Sequence, residues 1–211
     1  MEGNVATVRT GALRFDLQLI ADMIAPNSRV LDVGCGDGVL LDYLAREKGV
    51  DARGIEIRQE GVHACVKRGL SVIQGDADTD LADYPSNAFD YVVLSKTLQA
   101  TYDPRGALEQ MVRIGRRVVV SFVNYGHWRI RLSLLLSGRV PVTGGNGLHW
   151  HDSPDIHLCT ILDFVDLTRE LGLEIEQALS FGRDGGVRSI RTVGPWANLT
   201  GEQAIFLLRR G

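Results

Sequence analysis

Short, almost wholly apolar runs alternate with helix-period segments along most of this chain, and that alternation constrains the fold more than any other feature. RVLDV (29–33), DARGIEI (51–57), SVIQ (71–74), FDYVVLS (89–95) and RRVVVSFV (116–123) are bounded by polar or glycine-containing turns. Between them, VLLDYLAREKG, RQEGVHACVKRG and DPRGALEQMVRIG carry apolar residues at helical spacing. Strands that are apolar on both faces and separated by helices belong to a parallel sheet covered on both sides. A further helix is predicted upstream, from about Ala12 to Ala25. Asp103 with Pro104, and Thr160 before ILDF, are predicted N-terminal caps.

The rhythm breaks after Phe122. HWRIRLSLLLSGR reads as a helix, the stretch from Gly138 to Ile156 has no period, and TILDFVDLTRELG is a clear helix. LEIEQALSF and EQAIFLLRR then read as two strands joined by a loop without a crossover helix, hence antiparallel. With 211 residues the default is a single domain, 1–211, with an insertion at about 124–158 after the fifth strand.

VLDVGCGDG, residues 30–38, is the chemically informative turn. A glycine-rich turn between a strand and a helix usually cradles a pyrophosphate on the helix N-terminus. The dinucleotide fingerprint G-x-G-x-x-G would place its third glycine at position 39, which is Val39; Gly34, Gly36 and Gly38 form G-x-G-x-G instead. Charge is the stronger argument. Asp32 and Asp37 flank the turn, and a carboxylate ~6 Å from a phosphate repels it by roughly 2–3 kcal/mol at an effective dielectric of ~20. A cationic ligand reverses that sign, and S-adenosylmethionine carries an ammonium and a sulfonium but no phosphate. Asp37 also reads as a simple helix cap. Glu56, at the end of the second strand, suits ribose hydroxyls and fits NAD equally well. Asp76, in GDAD after the third strand, is placed to take an adenine amine proton.

The chain resembles the class I S-adenosylmethionine-dependent methyltransferases in VLDVGCGDG, GIEI, GDAD and FDYVVLSKTL. That resemblance implies an α/β, Rossmann-like fold with a seven-stranded, mostly parallel sheet in the order 3-2-1-4-5-7-6. The last strand is antiparallel, and helices lie on both faces. It also implies a site for S-adenosylmethionine or S-adenosylhomocysteine built from Asp32, Val33, Gly34, Cys35, Gly36, Asp37, Gly38, Glu56, Ile57, Asp76, Ala77 and Ser95. FDYVVLSKTLQATYDP, IGRRVVVSFVNYGHWRIRLSLLLSGRVPVT and HWHDSPDIHLCTILDF are similar, more narrowly, to the MetW family of methionine biosynthesis. This implies a partner, the homoserine O-acyltransferase MetX (the acetyltransferase), for which the chain would act as activator. Catalysis of methyl transfer to a small molecule is the alternative, and a nicotinamide dehydrogenase is a third reading.

No catalytic residue stands out. His127 is a candidate base or a packing residue, and Lys96 a candidate for a substrate carboxylate or a solvent-facing lysine. His149, His151 and His157 gather near Asp152 and Asp155 without completing a metal-ligand motif, so no metal is expected. Trp128, Trp150 and LSLLL form either a partner surface or a cap on the ligand pocket. A net charge of −3 and the lack of a basic aromatic patch give no reason to expect nucleic acid. Three scattered cysteines, an N-terminus without an apolar signal core, and no long apolar run lead to the expectation of a cytoplasmic protein without a membrane span.

Overall fold

The computed structural model describes residues 13–139, 151–182, 185–190 and 194–211. Its strands are β1 (Arg29–Val33), β2 (Asp51–Glu56), β3 (Ser71–Gln74), β4 (Phe89–Ser95), β5 (Gly115–Val123), β6 (Leu173–Phe181), β7 (Val187–Ser189) and β8 (Gln203–Arg210). They form one sheet in the order β3-β2-β1-β4-β5-β8-β6-β7. The ladders joining β3, β2, β1, β4 and β5 are parallel, and β8 runs antiparallel to both β5 and β6. This is the expected order with one addition. The sheet has eight strands among the described residues, not seven, because β7 pairs antiparallel with the end of β6. β7 is three exposed residues, VRS, so no apolar pattern announces it.

The helices are α1 (Phe15–Met23), α2 (Val39–Lys48), α3 (Gln59–Lys67), α4 (Pro104–Ile114), α5 (Trp128–Ser137), α6 (Ile161–Glu170) and α7 (Pro195–Thr200). Both predicted caps are present. Asp103 accepts from Gly106 N, with Pro104 in the first turn. Thr160 and Asp163 exchange a capping box, Asp163 N donating to Thr160 Oγ1 at 3.2 Å and Thr160 N to Asp163 Oδ2 at 2.9 Å. The sequence reads as loop over α7. Its six residues are too few for an apolar period, and Pro195 in the first turn after Gly194 is the local signal for it.

Period-2 alternation on the strands sorts the core into two faces. Val30, Tyr91, Val93 and Val119 face one way, in a cluster with α1 and α2 residues such as Ile20, Ile24, Leu40 and Leu44. Leu31, Val33, Val92, Leu94, Val118, Val120 and Phe122 face the other, against α4 and α6. There Phe122, Phe164 and Phe206 form a buried aromatic trio. Phe122 and Phe206 stack at 5.9 Å, and Phe164 lies 4.8 Å from each, locking β8 beside β5. Asp32 shares the face of Val30, Ser95 that of Tyr91 and Val93, and Ser121 that of Val119. Asp32, Ser95 and Ser121 thus place polar side chains on this face toward the carboxyl ends of β1, β4 and β5. No helix among the described residues is long and apolar enough to cross a membrane.

Candidate functional site

The carboxyl end of β1 opens into a cleft of about 830 Å³. Asp32, Gly34, Cys35, Gly36, Asp37 and Ser95 line it from below. Arg14, Leu17 and Gln18 of the α1 region and Tyr43 of α2 close it from the side. A cleft at the carboxyl edge, where the strand order reverses beside β1, is where open α/β sheets bind ligands.

Glycine is required in the turn for identifiable reasons. Gly34 has φ +74, and a Cβ there would lie 2.5 Å from Thr97 Oγ1. Gly36 has φ +58 but meets nothing within 4 Å, so its backbone borders open space. Gly38 caps α2 in a left-handed conformation.

Asp32 is 2% exposed and its Oδ1 has no hydrogen-bond partner. Burial raises its pKa, and the nearby Glu56 carboxylate raises it further, to about 7. Glu56 is also buried. Its Oε2 accepts Gly36 N at 2.8 Å, and its Oε1 accepts Arg58 N at 2.9 Å and Arg58 Nε at 3.2 Å. The second-strand acid therefore holds the glycine turn in shape. Asp37 is exposed, lies 3.5 Å from Arg68, and makes no side-chain cap on α2, so the cap reading of Asp37 is not met. Val33 is wholly buried and its side chain joins the opposite core face.

Glu56, Ile57, Asp76 and Ala77 do not line this cleft. They sit on the same edge, because Val33 pairs with Ile55, and Ile55 with Ile73. Ile57 is exposed, Asp76 Oδ1 accepts Asp78 N at 2.9 Å, and Ala77 packs against the core. Cys35 is buried with its Sγ 4.0 Å from Cys65 Sγ, and burial raises both thiol pKa values, so Cys35 packs the turn and is not activated.

Lys96 is exposed and ion-paired. Its Nζ lies 2.6 Å from Asp16 Oδ2, tying the first turn of α1 to the end of β4. This clamp and the lining by Arg14 and Gln18 are missed by a reading that treats the first helix only as an apolar stripe. Polar residues at positions 14 and 18, one helical turn apart, are the available signal. His127 is a structural cap. It is 4% exposed, its Nδ1 accepts Arg129 N at 3.4 Å, and burial holds its pKa below the usual range. His157 Nε2 lies 3.2 Å from Tyr102 O and His151 Nε2 3.4 Å from Asp152 Oδ2. No metal-binding group of side chains occurs among the described residues, and His149 and Trp150 lie outside them.

The family model of the methionine biosynthesis protein MetW matches residues 14–208. The chain belongs to the MetW family. The bifunctional methionine biosynthesis protein MetXA/MetW of Rhodopirellula baltica is 32% identical over 207 residues, covering 94% of this chain and 33% of that protein. The ubiquinone biosynthesis O-methyltransferase of Photorhabdus laumondii is 32% identical over 105 residues, covering 46% of this chain and 43% of the relative. This MetW-family chain therefore spans one third of the first relative and under half of the second. An S-adenosylmethionine-dependent methyltransferase from Mesorhizobium loti superposes with TM-score 0.68 at 16% identity, covering 93% of this chain and 98% of its own. A possible histamine N-methyltransferase from Thermotoga maritima superposes with TM-score 0.65 at 18% identity, over 93% and 87%. These likenesses place the MetW-family chain in the class I methyltransferase fold.

Proposed function

We propose that this chain binds S-adenosylmethionine, or S-adenosylhomocysteine, in the β1 cleft and acts as partner and activator of a homoserine O-acyltransferase in methionine biosynthesis. The observation that carries the ligand reading is the buried, unpartnered Asp32 Oδ1 beside a glycine turn that borders open space. A buried carboxylate without a partner is costly, and a cation placed against it removes that cost. A diphosphate would instead add negative charge near Asp32 and Glu56. In this reading Asp32 faces the ligand's cationic amino-acid end. The turn from Val33 to Gly38, Cys35 and Asp37 included, wraps that end. Ser95 forms the floor, and the nucleoside extends out of the cleft along the same sheet edge, its ribose toward Glu56 and Ile57 and its adenine toward Asp76 and Ala77. When bound, S-adenosylmethionine would supply an electrophilic methyl group. The partner reading is supported by the MetXA/MetW relative, whose name joins the two activities in one polypeptide. A cytoplasmic setting belongs to the same proposal.

Calorimetry with S-adenosylmethionine, S-adenosylhomocysteine and NAD tests the ligand. Saturable binding of the first two, weakened at least about tenfold by Asp32→Asn, is expected; preferential binding of NAD overturns it. Acyltransferase assays and pull-downs with and without this chain test the partner. The absence of both a complex and a rate change overturns that half.

A second reading, methyl transfer to a small molecule, is supported by the ubiquinone O-methyltransferase similarity over 46% of this chain. Release of S-adenosylhomocysteine with a candidate acceptor distinguishes it.

A further inference from the structure

We infer that a second cleft on the same sheet edge, between the N-terminus of α5, the end of β6 and the start of β8, binds a small molecule carrying a carboxylate or phosphate group. The cleft has a volume of about 290 Å³ and shares no lining residue with the β1 cleft. β8 lies three places along the sheet from β1. At ~4.8 Å per strand, β1 and β8 are about 14 Å apart, and Phe15, next to Arg14 of the first cleft, meets Phe181 of the second with ring centroids 6.0 Å apart. The two clefts have distinct linings, and the inference does not depend on the ligand of the first.

Its lining fixes the ligand's charge. Arg129, Arg188 and Glu202 all face it. Arg129 pairs with Glu202 at 3.4 Å and also lies over the Trp128 ring at 5.4 Å. Arg188, on β7, has no carboxylate partner among the described residues, and among the described lining residues two guanidinium groups accompany one carboxylate. His127, 4% exposed as a residue, supplies a ring nitrogen. Arg129 N–H occupies its Nδ1, and Nε2 makes no hydrogen bond among the described residues. The Trp128 N–H, first of a ten-residue helix, points out of the helix at the same place. A guanidinium, a ring nitrogen and a free amide converging in a pocket of this size fit an oxyanion on a compact metabolite.

The test uses succinate and glycerol 3-phosphate as probes, with uncharged glycerol as control, followed through the Trp128 indole N–H resonance (assigned with Trp128→Phe). A saturable shift with at least one anionic probe is expected, and the responding probe assigns the headgroup. Arg188→Gln should weaken that binding about tenfold or more while leaving S-adenosylmethionine affinity unchanged. No saturable shift with either anion overturns the inference. So does an equal response to glycerol, or a response undiminished in Arg188→Gln.

Discussion

Asp16 Oδ2 lies 2.6 Å from Lys96 Nζ, and this contact holds α1 over the mouth of the β1 cleft. Lys96 takes φ 57, a left-handed conformation unusual for lysine, while its N–H donates to Ser121 O at 2.9 Å. Asp16 is 6% exposed. Burial raises its pKa, but hydrogen bonds and charge from Lys96 and Arg14 together outweigh that and leave it lowered. The pair's contribution is therefore present above the ordinary carboxylate range and is lost as pH falls below about 3.8, through the folded pKa. Lys96→Asn keeps the backbone, since asparagine tolerates the left-handed region, and removes only the cation. We expect a loss of about 1–3 kcal/mol at pH 7, between exposed and buried ion-pair values, with faster ligand release. Chemical denaturation and stopped-flow dissociation measure both; unchanged release would show that α1 does not gate the cleft.

Asp32 gives the opposite sign. The unfolded chain ionises this carboxyl near 3.8 and the folded chain near 7. Between those pH values the native state holds a proton that the unfolded state lacks. Stability from this group is therefore greatest below the unfolded pKa and falls as pH rises from about 4 to about 7. Asp32→Asn should abolish that slope and raise the melting temperature at pH 8, while weakening S-adenosylmethionine binding. In the unmodified chain, affinity for this cation should rise with pH up to about 7 and then level off, because binding favours the ionised carboxyl. Melting curves and calorimetry across pH 5–8 check both halves, and a pH-independent affinity equal in the two proteins contradicts the assignment.

How legible each feature was depended on whether its cause is local. The alternation of Val30, Leu31 and Val33 with Asp32, and the caps Asp103 and Thr160, act over a few residues, so strand, face and helix start could be read directly. The glycine turn was legible for the same reason. Glu56 was recognisable as a strand-end acid, but its bond to Gly36 N joins residues 20 apart. The Asp16–Lys96 clamp and the Arg68–Asp37 pair likewise exist only once the sheet is assembled. β7 and α7 are too short to carry a period. The exposed apolar face of α5, with Leu135 80% and Leu136 77% exposed, was legible as a helix but not in where it points.

Gly61 sets two local effects against each other. Gly61 is the third residue of α3, where Gly61→Ala would gain at most about 1 kcal/mol of helix propensity. Its Cβ would, however, lie 2.7 Å from both Glu56 Cγ and Gly36 O. One of these is backbone of the ligand turn, which cannot yield cheaply. Overpacking of this kind costs about 1–3 kcal/mol, so the steric term should win. The variant is expected to melt lower and to bind S-adenosylmethionine more weakly through displacement of the Glu56–Gly36 contact. A higher melting temperature with unchanged affinity would show that α3 shifts freely.

Asn124 directly follows β5, on the edge that carries the site, and the fold occupies all of its side chain. Nδ2 donates to Asn198 O and Gly201 O, both at 2.7 Å, and Oδ1 accepts Gly126 N at 3.0 Å and Ile161 N at 3.1 Å. The residue is fully buried and ties α6, α7 and the β8 entry to the end of β5. Asn124→Asp keeps the shape but replaces a double donor with an acceptor-only oxygen facing two carbonyl oxygens. With an unpaired buried charge the cost should be about 3 kcal/mol or more at pH 7. The deficit should shrink as pH falls, because a protonated carboxyl regains one donor. A pH-dependent loss in melting temperature, with S-adenosylmethionine affinity retained below the transition, identifies Asn124 as a structural knot. A loss of binding without a loss of stability would assign it to the site instead.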